Sequence, residues 1–105
     1  MEMAKYILSI LRANTMVFFS WAPEKFYALQ NGLQFNVSGF KFKGKVRVIY
    51  VEGVDLFKVE LINRAGQIIK TISDVYFDTL VSIIDREVEY CENYKQKVAN
   101  QYSII

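Results

Sequence analysis

The stretch VRVIYVEGVDLFKVEL, residues 46–61, contains two alternating runs of apolar residues joined by a turn. Gly53 stands at the first central position of that turn, where a two-residue type II′ hairpin needs a positive φ. The turn sets the register, and four opposed pairs follow from it: Tyr50–Phe57, Val48–Val59, Val46–Leu61 and Arg47–Glu60. The first three pairs are apolar and share one face, while the charged pair lies on the other. The stretch therefore predicts an antiparallel hairpin with one buried and one solvated face.

A second turn signal follows at residues 63–66, where Gly66 suits the left-handed bulge position after a type I turn. This turn predicts a further strand in which Lys70 lies opposite Glu60. A charged ladder of Arg47, Glu60 and Lys70 would then cross the solvated face.

Another strand is predicted upstream, where Leu33, Phe35 and Val37 alternate with polar residues. The apolar phase changes after this run, and a β-bulge at Gly39 would absorb the extra residue. Residues 23–29 fit either a helix or a strand.

Helical periodicity marks the two ends of the chain. Residues 3–13 have an apolar stripe at helical spacing, and so does a segment that begins at Ser73 or Asp74 and ends near Cys91. A last helix is predicted over residues 92–103. We therefore expect a single α+β domain, residues 1–105, with an antiparallel four- to five-stranded meander sheet and with an N-terminal helix and two C-terminal helices packed on it.

The composition excludes several kinds of chemistry. The chain has 105 residues, a net charge of +2, one cysteine and no histidine. Ser-His-Asp and Cys-His catalysis and histidine-containing metal sites are therefore excluded. The single Cys91 fits a reducing compartment, so we expect a cytoplasmic protein. The 11-residue run ANTMVFFSWAP is too short to cross a bilayer as a helix, so no membrane partner is expected.

Three aspartates are the remaining candidates for a catalytic or metal site. Asp74, Asp78 and Asp85 would share one helix face and could hold a hard cation or act as an acid–base pair. The simpler interpretation is that the first two stabilise the positive end of the helix dipole and the third is solvated. We expect no catalytic residues, no metal and no cofactor.

The apolar segment MVFFSWA, residues 16–22, is the first candidate for a binding surface. Its large side chains fall on both alternating faces, which is typical of a strand buried on two sides or of one that faces a partner. Aromatic residues make up 15% of the chain, a large share for one small core. We therefore expect a protein-interaction module that forms a homo-oligomer or binds a protein partner. The residues predicted for this interface are Met16, Phe18, Phe19, Trp21, Tyr94 and Tyr102.

The second candidate is the basic stretch FKFKGKVRV, residues 40–48. Alternating cations and apolar residues are typical of a ribbon that binds single-stranded nucleic acid. The pattern favours the simpler interpretation, a solvated hairpin face whose lysines discourage aggregation. Four strands followed by a helix, over residues 33–90, resemble the whirly architecture of coactivators that bind single-stranded DNA. The alternative function is thus nucleic-acid binding, and the residues predicted for it are Lys41, Lys43, Lys45 and Arg47.

The runs NGLQFNVSGFKFKGKVRVIYVEGVDLFKVELIN (31–63) and VYFDTLVSIIDREVEY (75–90) resemble a family of small proteins of gut anaerobic bacteria. The family is associated with conjugative and other mobile elements and has no assigned activity. The resemblance implies a DNA-related or protein-partner role and no particular functional residue.

Overall fold

The structure, a computed structural model, describes residues 2–89. Its elements in chain order are α1 (Glu2–Arg12), α2 (Thr15–Ser20), β1 (Glu24–Leu29), β2 (Gly32–Ser38), β3 (Lys43–Val51), β4 (Leu56–Ile62), β5 (Ile68–Val75) and α3 (Leu80–Val88). The strands form one antiparallel sheet in the order β1-β2-β3-β4-β5. The predicted α+β meander is therefore confirmed, and in residues 2–89 two helices precede the sheet and one follows it. The predicted helix over residues 92–103 lies outside the described residues.

The register of the central hairpin, β3 with β4, is as the turn at Gly53 predicts. All four expected pairs are formed, and the pairing continues to Val51 opposite Leu56. Gly53 has a φ of +92° and Asp55 a φ of +58°. Two residues in the left-handed backbone conformation therefore reverse the direction of the chain in this loop. One face of this hairpin carries the centre of the hydrophobic core.

The predicted register of β5 is wrong by one residue beyond the turn. The turn itself forms, because the backbone N–H of Asn63 donates to the carbonyl of Gln67 over 2.9 Å. A bulge in β5 then shifts the pairing, so Lys70 lies opposite Leu61 on the core side of the sheet. Lys70 forms an ion pair with Glu87 of α3. The charged ladder on the other face therefore ends at Glu60.

The predicted bulge at Gly39 is also wrong. Strand β2 ends at Ser38, and residues 39–42 form a loop before β3 begins. Gly44 lies within β3, opposite Val37. The predicted strand Leu33–Val37 is confirmed as part of β2, and the open choice over residues 23–29 is settled as strand β1, which pairs with β2.

Two predictions about helices are wrong, and they concern α2 and α3. The segment MVFFSWA, predicted as a strand, forms the short helix α2 and its C-terminal end. Helix α3 begins at Leu80 and not at Ser73 or Asp74, because the pairing of Val75 with Phe57 extends β5 past both residues. Strand pairing thus overrides the local capping signal.

A single core lies on one face of the sheet. The three helices bury their apolar stripes there against inward side chains of the strands. The largest fully buried side chains are Trp21, Phe35, Ile7, Leu11, Leu80 and Ile84. We call the opposite side of the sheet the outer face. None of the three described helices packs against it, so its side chains face away from the core.

Candidate functional site

The predicted interface segment divides into two parts in the structure. Phe18 is only 3% exposed and Trp21 is fully buried, so assigning these two residues to a surface is wrong. Met16 and Phe19 are 86% and 60% exposed. The division follows from the helix, because residues three apart share a helix face whereas a strand groups alternate residues. Tyr94 and Tyr102, the other predicted interface residues, lie outside the described residues.

Phe18 and Trp21 form an aromatic cluster inside the core. The Trp21 ring stacks on Phe35 with the centroids 6.4 Å apart and the planes 9° apart. Phe18 meets Trp21 edge to face at 5.7 Å. The indole N–H of Trp21 donates to the Asp85 carboxylate over 3.0 Å, which satisfies its only polar atom. These contacts make the segment a structural link between the sheet and α3.

Exposed apolar side chains surround Phe18 on its solvent side. The Phe19 ring lies 5.8 Å from the Phe18 ring, and the Phe26 ring of β1 lies 6.2 Å from it. Met16 is three residues before Phe19, hence its neighbour on the helix surface. Phe26 is 43% exposed. We call Met16, Phe19 and Phe26 the aromatic patch. Phe26 could not be found from the sequence, because residues 23–29 carried no clear periodicity.

The four basic residues predicted for nucleic-acid binding do not form one group. The Lys41 ammonium donates to the carbonyl of Arg86 over 3.1 Å, at the C-terminal end of α3. There it meets the negative end of the helix dipole, which is a structural role. Lys43, Lys45 and Arg47 alternate with inward residues of β3 and therefore lie on the outer face.

Arg47 is held in place on the outer face. Its guanidinium donates to the side-chain carbonyl of Gln34 over 3.1 and 3.2 Å, and to the Glu60 carboxylate over 3.2 Å. The Lys58 ammonium lies 3.9 Å from the same carboxylate. Glu60 is 8% exposed, so its two cationic neighbours offset the cost of burying the charge.

The loop of residues 39–42 encloses the end of α3, and we call this contact the clasp. The backbone N–H groups of Lys41 and Phe42 both donate to the carbonyl of Val88, over 2.9 and 3.1 Å. The Phe40 N–H donates to the Glu89 carboxylate over 2.8 Å. The clasp thus supplies donors to carbonyl groups that a helix end leaves unpaired.

Glu89 is a buried carboxyl within the clasp. Burial raises its pKa above 4.5, and the nearby negative charge of Asp85 raises it further, while the hydrogen bond from Phe40 lowers it. The net shift is upward because loss of hydration penalises the charged form. This arrangement joins the loop of residues 39–42 to the end of α3.

The three predicted aspartates do not share a helix face. Asp74 belongs to β5 and Asp78 to the turn before α3, and both are exposed. Asp85 accepts the hydrogen bond from Trp21. The prediction that Asp74 and Asp78 occupy the first turns of the helix is therefore wrong. Asp74 lies in β5, whereas Asp78 directly precedes Thr79, the N-cap residue of α3. Within residues 2–89, no group of three or more carboxylate or thiol side chains is placed to hold a metal ion.

No helix in the described part of the chain combines the length and apolar character needed to cross a bilayer. Comparison with models of protein families, with curated proteins and with solved structures finds no match to this chain. The family resemblance drawn from residues 31–90 therefore stays a prediction.

Proposed function

We propose that this chain is a non-catalytic protein-interaction module of the cytoplasm that forms a homodimer through the aromatic patch. The observation that carries the proposal is the exposure of Met16, Phe19 and Phe26 around one buried ring. Scattered apolar residues are normal on protein surfaces, whereas a contiguous group of this kind is typical of an association surface. Phenylalanine and methionine are also enriched at the centres of interfaces.

The stabilisation available from this patch is substantial. Fully burying a phenylalanine or methionine side chain is worth about 1.5–3 kcal/mol relative to leaving it exposed. A two-fold axis makes each contact twice, so a dimer would cover six such side chains. Apolar surface meets apolar surface in that arrangement. A homodimer therefore suits this patch.

Side-chain packing is a better mode of association here than strand addition. The edge strand β1 contributes Phe26 to the patch, but its pairing with β2 is interrupted by a bulge between Glu24 and Tyr27. Lys25, within that bulge, has a φ of +54°. Bulges and lysines at a sheet edge discourage pairing with a further strand. We therefore assign the interface to the three side chains.

Light scattering of the purified full chain, over a range of concentrations, tests the proposal. We expect twice the mass of a single chain for the wild type and the mass of a single chain for the double variant Met16→Gln/Phe19→Gln. Both side chains are exposed, so the variant should unfold at nearly the wild-type temperature. The matched control is Phe77→Gln, because Phe77 is 61% exposed and lies outside the patch. A monomeric wild type, or equal loss of mass in the control, would overturn the homodimer.

A further inference from the structure

The outer face carries cations in a regular row. Lys43 and Lys45 are successive outward residues of β3, followed by Arg47. Alternate residues of a strand lie about 6.7 Å apart, so the row presents positive charge at a steady interval along one direction. Such a row complements the phosphates of an extended polyanion.

A polar pocket adjoins this row. It has a volume of about 340 Å³ and includes Lys45 of β3 and Arg64 from the turn after β4. Asn36 and Ser38 supply amide and hydroxyl groups, and Glu24 supplies the single carboxylate. Two cations with neutral hydrogen-bonding groups suit an anionic group such as phosphate, and Glu24 would oppose its binding.

The cations of the outer face differ in whether they form ion pairs with described residues. Arg47 and Lys58 both contact Glu60, so its one carboxylate offsets part of their combined charge. Lys43, Lys45 and Arg64 form no ion pair with any described residue. These three are therefore the ones available to an anionic ligand.

One aromatic ring lies on the same face. Tyr27 of β1 pairs with Gln34, which in turn pairs with Arg47, so all three belong to one transverse row. Tyr27 is 59% exposed. Exposed rings beside a basic strand give nucleobases a surface on which to stack.

We propose that the outer face binds single-stranded nucleic acid. Lys43, Lys45 and Arg64 contact phosphates, and Tyr27 stacks on a base. Phosphate contacts alone would not distinguish this ligand from an acidic protein segment, but the exposed ring of Tyr27 on the same face, two strands away from the cations of β3, favours a ligand with bases. A broad sheet face does not enter a duplex groove as a helix or a two-stranded ribbon does, so the single strand is the better fit.

Fluorescence anisotropy with a labelled oligothymidylate tests binding by the full chain. Three phosphate contacts predict that log K falls with log salt concentration with a slope of about −2, at roughly −0.7 per phosphate of a single strand. Binding that is absent at low salt, or that is indifferent to salt, overturns the proposal. Polyglutamate bound with equal affinity would show instead that the face takes acidic protein.

Matched variants locate the site. We expect Lys43→Gln/Lys45→Gln to weaken binding at least about tenfold, whereas Lys5→Gln/Arg12→Gln, which removes the same charge from the exposed side of α1, should have little effect. An equal loss of affinity in the two double variants would indicate that binding depends on net charge alone, and it would overturn the assignment of the site.

Two single variants refine the test. Glu24→Gln should tighten binding about threefold by removing the opposing charge, a gain that misfolding cannot produce. Tyr27→Ser should weaken it about tenfold if the ring stacks on a base. Unchanged affinity in both variants would overturn the assigned geometry. The dimer variant Met16→Gln/Phe19→Gln should bind normally, so the two proposals fail or hold separately.

Discussion

Gly39→Ala should break the clasp, because the glycine lies directly against the end of α3. A Cβ atom built at Gly39 would stand 2.3 Å from the carbonyl oxygen of Val88 and 2.6 Å from Oε2 of Glu89. Ordinary van der Waals contact begins near 3.4 Å, so loop and helix would have to separate by about 1 Å. The Val88 carbonyl accepts two backbone hydrogen bonds and cannot move away alone.

The expected cost combines overpacking with lost hydrogen bonds. Overpacking costs about 1–3 kcal/mol, and each clasp hydrogen bond that opens costs about 1 kcal/mol more. We therefore expect Gly39→Ala to lower the free energy of unfolding by about 3 kcal/mol. With a urea dependence of about 2 kcal/mol per molar, the unfolding midpoint should fall by roughly 1.5 M.

The assay can follow Trp21, because the chain has one tryptophan and it is fully buried. Its fluorescence during urea unfolding reports on the core beside α3. Ser38→Ala is the matched control, since Ser38 precedes the glycine and is exposed. The control should stay within about 0.5 kcal/mol of the wild type. A Gly39→Ala midpoint equal to that of the control would refute a tight clasp.

Two further changes test charges near α3. Glu89→Gln should stabilise the protein near pH 7 and much less below pH 4.5, because the raised pKa of the buried carboxyl means that the wild type loses stability as the pH rises through it. Urea midpoints at several pH values measure this difference. Lys70→Met should cost about 1–2 kcal/mol in the same assay, because it leaves the carboxylate of Glu87, 6% exposed, without its cation.

Glu89→Gln and Lys70→Met each have their own control, and a different result would contradict each prediction. Glu2→Gln changes an exposed carboxyl, so its stability relative to the wild type should not vary in the same way with pH. A constant difference between Glu89→Gln and the wild type at all pH values would contradict the raised pKa. Lys5→Met is the counterpart of Lys70→Met on an exposed helix surface. Equal effects of the two lysine changes would mean that Glu87 needs no partner.

The central part of the fold could be predicted because turn chemistry and alternation agree there. Gly53 defines the reversal, and every expected pair between β3 and β4 is present. The error in β5 arose because its bulges depend on how the chain meets β4 and α3. A left-handed φ of +57° at Asp74 marks one of these irregularities. Aspartate tolerates this conformation better than most residues, but it does so too rarely for the sequence to predict a bulge there.

The candidate surfaces could be predicted only in part. Residues 16–22 are apolar except for Ser20, so the helical period and the strand period both fit this segment, and the sequence does not show which side chains share a face. The helix places Met16 and Phe19 outward and sends Phe18 and Trp21 inward. In the basic stretch, the alternation of the residues correctly predicts that the cations of β3 lie on the outer face of the sheet. The capping role of Lys41 depends on α3, which lies 45 residues away in the chain.

Contacts between distant residues also decide when this chain can fold. Trp21 and Asp85 are 64 residues apart, and Phe40 and Glu89 are 49 apart. A growing polypeptide therefore lacks the hydrogen-bond partner of the Trp21 indole, and a finished core, until α3 has been synthesised. Until then the earlier segments expose apolar side chains that the finished core buries, and such transiently exposed surface is prone to aggregation. Folding should then be a late, cooperative event that follows synthesis of α3.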